Sequence, residues 1–111
     1  MDPTQQDVHD VLGVLYKSLT DAYWVTSTIT DKDRIRGAAD AVYDILTALN
    51  QVDIKSRTHE YTALKTKAYA TIKKLKNLED DIDSIIHVVD VAASVTQAIS
   101  KALDFGAKFF V

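Results

Sequence analysis

A chain of 111 residues is long enough to bury one core without metal or disulfide help, and 47% apolar against 26% charged residues excludes a disordered chain. The formal charge of −3 gives no global attraction to nucleic acid or anionic lipid. The absence of cysteine excludes disulfides, thiolate zinc sites and cysteine nucleophiles.

One proline and three glycines leave few turns, so the chain reads as a single all-α domain over residues 1–111, built from a few long helices. The opening stretch MDPTQQDVHD lacks the basic flank and apolar run of a signal peptide, which makes a cytoplasmic location the expectation. The first helix is expected over about residues 3–28, with Pro3 in its first turn and Asp2 as its cap. Val8, Leu12, Leu15, Leu19, Ala22, Thr26 and Ile29 recur at helical spacing and give it one inward face. A second helix follows over about 31–51, capped by Thr30 with Asp31 and Asp33 in its first turn. Its face is Ile35, Ala38, Ala39, Val42, Ile45, Leu46, Leu49 and Val52. NQVDIKS breaks it, and Asp53 or Ser56 can cap a third helix over 56–76 with Tyr61, Leu64, Ala68, Ile72 and Leu75 inward.

Two signals conflict at the next boundary. A heptad count from Tyr61 through Ala68, Leu75, Ile82, Val89, Thr96, Leu103 and Phe110 never slips, which permits one helix of about fifty residues. The stretch KKLKNLEDDID carries stop and start chemistry together: lysines in a last turn, Asn77 at a left-handed cap, Leu78 at the apolar position of a Schellman motif, then Asp80 and Asp83 spaced as a capping box. A turn is therefore predicted at 77–80, followed by a fourth helix over 81–109. The resulting fold is a mainly antiparallel four-helix bundle, with a helical hairpin packed on one long C-terminal helix as the alternative.

On the fourth segment Asp83, His87, Asp90, Ser94, Gln97, Lys101, Asp104 and Lys108 form one narrow polar stripe. Nearly everything else from Ile82 to Val111 is apolar, far more than the roughly 100° that a surface helix buries. Charges at Asp90, Lys101 and Asp104 interrupt the run and exclude a transmembrane span. A second apolar stripe, which includes Val91, Val95, Phe105 and Phe109, serves either the core or self-association. The terminal FGAKFFV places Phe105, Phe109 and Phe110 where chains are usually polar, and closure of the bundle core is the favoured reading.

Little points to chemistry. Asp83, His87 and Asp90 share a face but lack the Glu-x-x-His pairs of di-metal bundles, and Ser94 is seven helical residues from His87, about 10 Å, too far for a catalytic pair. No phosphate-binding glycine loop occurs, and no cofactor, metal or catalytic residue is assigned. His9 and His59 read as surface residues, and Gly13 and Gly37 either permit close helix approach or are tolerated within helices.

Interaction features are clearer. Trp24 falls opposite the apolar face of the first helix with Tyr16 and Tyr23 on the adjoining ridge, so it either packs under the neighbouring turn or the C-terminal tail or serves as an interface anchor. Lys65, Lys67, Lys73, Lys74 and Lys76 make a basic patch, and the following acidic run would lie alongside it if a turn separated the two. Nucleic acid is disfavoured, because Tyr69 is the only aromatic among these lysines and the chain is acidic. The expected function is that of a non-catalytic module acting through a protein partner or homo-oligomer. A membrane-active role at an anionic surface, using the apolar C-terminal helix and the basic patch, is the alternative.

Overall fold

The chain enters its first helix through a reciprocal cap: Thr4 Oγ1 accepts the Asp7 N–H at 3.1 Å, and the Asp7 carboxylate accepts the Thr4 N–H at 2.9 Å. The first helix therefore begins at Gln5, after Pro3, and neither Asp2 nor Pro3 forms its start. In the computed structural model, which describes residues 2–111, the helices are α1 (Gln5–Tyr23), α2 (Ile29–Ala48), α3 (Thr58–Ile85) and α4 (Val89–Phe109). A 3-10 turn at Ile54–Ser56 precedes α3.

The short connections make successive helices antiparallel, and α4 closes the ring by packing along α1. The fold is an all-α four-helix bundle. Its long dimension of 43 Å is the length of α3, whose 28 residues span about 42 Å at 1.5 Å each. Buried side chains from all four helices form one core, with Leu15, Leu19, Ile35, Val42, Leu75, Leu78, Val95 and Ile99 sealed from solvent.

The inward faces read from spacing are those observed on α1 and α2, with two corrections at their ends. Ile29 is 79% exposed, because α1 stops at Tyr23 and Thr28, not Thr30, caps α2 by accepting the Asp31 N–H at 3.1 Å. Val52 is 80% exposed, because α2 ends at Ala48 and Val52 lies in the following loop. That loop is latched by Gln5, whose Nε2 donates to the carbonyls of Leu49 and Gln51 at 2.8 and 2.6 Å while its Oε1 accepts the Ile54 N–H at 2.9 Å. Asp53 takes the left-handed conformation there (φ 52°), which aspartate tolerates better than most residues.

The turn predicted at 77–80 does not form. α3 runs continuously to Ile85, and Leu78, Ile82 and Ile85 are all core residues. Burying one such side chain is worth about 1.5–3 kcal/mol, so three of them outweigh cap chemistry of about 0.5–2 kcal/mol per helix end. The break falls at 86–88, where Ile86 and Val88 are extended and Ile86 plugs the core. Ile85, Ile86, Val88 and Val89 form a β-branched run, of reduced helix propensity. The heptad register ends with it, since Val89 is exposed.

Candidate interaction surface

Two aromatic contacts define the most distinctive surface. Tyr16 on α1 meets Tyr43 on α2 edge to face at 5.5 Å between ring centres, and Tyr23 meets Trp24 the same way at 5.4 Å. Between α1 and α2 lies a groove of about 390 Å³, floored by Leu19, Ile35 and Ala39 and walled by Tyr16, Tyr23 and Trp24. The small side chain of Ala39 keeps it open, and Arg36 and Asp40 form its α2 rim. Lys32 fixes one end: its ammonium lies 4.6 Å from the centre of the Tyr23 ring and donates to the Tyr23 carbonyl at 2.7 Å. Trp24 is 79% exposed and Tyr43 56%, and the exposed Ile29 stands on the same α2 ridge as Arg36 and Tyr43, two turns before Arg36. The structure thus gathers Trp24, Tyr16 and Tyr23 on one face, and adds Tyr43 and Ile29. Both were legible only in hindsight, Tyr43 by its exposed helical position and Ile29 once the α1 boundary is moved.

The remaining proposed partner residues belong elsewhere. Val95, Phe109 and Phe110 are core residues, and Val91 and Phe105 are half-buried against that core, so the second stripe of α4 faces inward. This corrects its reading as a self-association surface: α4 packs against both α1 and α3 and spends both apolar stripes there. The polar residues Asp90, Ser94, Gln97, Lys101, Asp104 and Lys108 all face solvent, as their spacing required. The tail is held by two tyrosines of α3: Tyr61 donates to the Phe109 carbonyl at 3.1 Å and Tyr69 to the Phe110 carbonyl at 2.7 Å. Tyr61 also stacks on Phe110 (6.3 Å, 18° between planes), and Lys55 caps the Phe109 ring from 4.3 Å. Burial, and after it the neighbouring Tyr69, pushes the Tyr61 hydroxyl above its usual pKa.

Of the basic patch, Lys67, Lys73, Lys74 and Lys76 are exposed and Lys65 is half-buried. The expected pairing with an acidic helix across a turn does not occur, because Glu79, Asp80, Asp81 and Asp83 continue the same helix. Lys67 and Lys74 instead share a surface groove with Asp44 of α2, and Lys73 and Lys74 share the adjoining one with Asp33. Arg34 pairs with Asp81 at 3.1 Å, and among the described residues none of the five lysines makes an ion pair. Neither Gly13 nor Gly37 serves close packing, since a Cβ at Gly13 would meet nothing within 4 Å and one at Gly37 only the Lys74 ammonium at 3.9 Å. Among the described residues no group of three His, Cys, Asp or Glu is placed to hold a metal ion, and no helix is long and apolar enough to cross a membrane. His87 lies exposed in the α3–α4 connection, off the helix that was expected to align it with Asp83 and Asp90. His9 is half-buried, with an Nδ1 that has no hydrogen-bond partner and stands 3.7 Å from Asp10 Oδ1.

No family model, curated protein or solved structure matches the chain.

Proposed function

We propose that this protein is a non-catalytic interaction module whose α1–α2 face receives a protein partner. The observation that carries the reading is Trp24, a large aromatic left 79% exposed at the edge of an aromatic-walled groove between α1 and α2. Exposed tryptophan and tyrosine beside a concave apolar floor, rimmed by arginine and aspartate, is the composition of a binding anchor rather than of an ordinary solvated surface. The other reading is adsorption to an anionic membrane. It rests on the exposed, unpaired lysines of α3, but it requires Phe109 and Phe110 to leave the core before an apolar element is available. Light scattering behind size exclusion, with and without anionic liposomes, tests both. Association that Trp24→Ala abolishes supports the partner face; liposome binding that survives Trp24→Ala and disappears on reversal of Lys67, Lys73 and Lys74 supports the membrane.

A further inference from the structure

We infer that the occupant of the α1–α2 face is a second copy of this chain, joined through a two-fold axis that passes between the two α2 helices, level with the midpoint of Arg36 and Asp40; this rests on the reading of that face as a partner site. Arg36 and Asp40 are exposed, one helical turn apart, and squarely on the rim of the aromatic groove. A basic and an acidic residue at that spacing often pair along their own helix, but the order with the cation first is the weaker one. Here they do not pair: among the described residues neither has a salt-bridge or side-chain hydrogen-bond partner. The face therefore presents one free positive and one free negative group side by side, a pattern complementary to itself under a two-fold rotation.

An antiparallel crossing of α2 on its copy sets the register. If Arg36 of one copy meets Asp40 of the other, symmetry supplies the second pair, and every position i faces the position whose number adds to it to give the same sum. Tyr43 then stands level with Asp33 of the second copy, and Ile29 level with Thr47. A register that centred on Arg36 alone would set two guanidinium groups against each other, so charge selects the first. The Tyr16–Tyr43 contact fixes how α1 lies beside α2. By that alignment Trp24 is about level with Ile35, so the rotation brings it within a turn of the height of the second copy's Tyr16–Tyr43 pair. Aromatic side chains thus cover the groove at both ends of the charge pairs.

The test is a charge-reversal set on the full chain, followed by sedimentation equilibrium up to roughly 1 mM protein, with circular dichroism confirming the helical fold of each variant. The wild type is expected to dimerise; Arg36→Asp and Asp40→Arg are each expected to weaken the dimer about tenfold or more, since each sets like charges opposite one another twice. An equal mixture of the two single variants, and the double variant Arg36→Asp/Asp40→Arg, are expected to recover it. A wild-type dimer insensitive to either reversal, or a double variant that stays as weak as the singles, overturns the two-fold register. A wild type that remains monomeric throughout overturns the second copy as occupant. The underlying partner face fails separately, when Trp24→Ala leaves every association of the chain unchanged.

Discussion

The hydroxyl of Tyr69 donates to the main-chain carbonyl of Phe110 at 2.7 Å, so the second-last residue of the chain is tied two turns along α3 from the Tyr61 bond to Phe109. The tail is thereby part of the core rather than an appendage. Phe109 and Phe110 are 3% and 2% exposed, and Phe109→Ala is expected to cost about 3–5 kcal/mol, the range for deleting a buried aromatic. Chemical denaturation measures it. Removal of residues 106–111 should lower the thermal midpoint further, and a truncated chain as stable as the parent would show the clasp to be dispensable.

Alkaline pH should loosen the same clasp. Tyr61 has its pKa raised from 10.0, by burial first and then by Tyr69, so the folded state holds the proton more tightly than the unfolded chain does. The sign follows from linkage: the contribution is fully present below pH 10 and is lost as pH climbs through the raised folded value. The phenolate also cannot donate to the Phe109 carbonyl. Thermal midpoints from about pH 8 to about pH 11 should fall, and Tyr61→Phe should flatten part of that fall while lowering stability at neutral pH by about 1 kcal/mol.

Asn77 gives a test with opposite signs for the two readings of α3. It lies exposed within a continuous helix, where alanine is the better former, so Asn77→Ala is expected to stabilise the protein by about 0.5 kcal/mol. At a left-handed helix end the same change would destabilise, because alanine lacks asparagine's tolerance of positive φ. Equilibrium denaturation resolves the sign when several repeats are combined.

How much of this was legible in the sequence depends on what kind of signal each residue carries. The cores of α1 and α2 follow directly from a 3.6-residue period, and the wet edge of α4 from Asp90 to Lys108 was written in the same way. The angle of Trp24 placed it opposite the apolar face, but whether the neighbouring turn or the C-terminal tail covered it was left to packing, which leaves it 79% exposed. The end of α3 could not, because Asn77 and Asp80 carry cap chemistry while Leu78, Ile82 and Ile85 carry core periodicity, and only packing decides which term is larger. The β-branched run around His87 was the available counter-signal. The Gln5 latch had no signal at all: a glutamine in a first turn shows no pattern, and its partners lie more than forty residues away.

That latch carries its own prediction. Gln5 satisfies two carbonyls and one N–H of the α2–α3 loop, and Ile54 beside it is fully buried. Gln5→Ala should destabilise the fold by about 1–3 kcal/mol by stranding part-buried backbone groups. Amide exchange at Ile54 should accelerate more than in the helices, since the loss is local to the loop.

Trp24 separates folding from association. Its ring touches Tyr23 edge to face but is otherwise largely in water, so iodide should quench its fluorescence freely in the dilute protein. Trp24→Ala removes little buried area and is expected to change stability by no more than about 0.5 kcal/mol, as for an ordinary surface site. If the α1–α2 face binds, the same substitution should weaken association by about 2 kcal/mol or more, because a tryptophan anchor in a desolvated pocket contributes on that scale. Quenching should correspondingly diminish as protein concentration, or an added partner, drives the complex together. A Trp24 that iodide cannot reach at any dilution would place the ring inside the fold, and the groove would then have no anchor to offer.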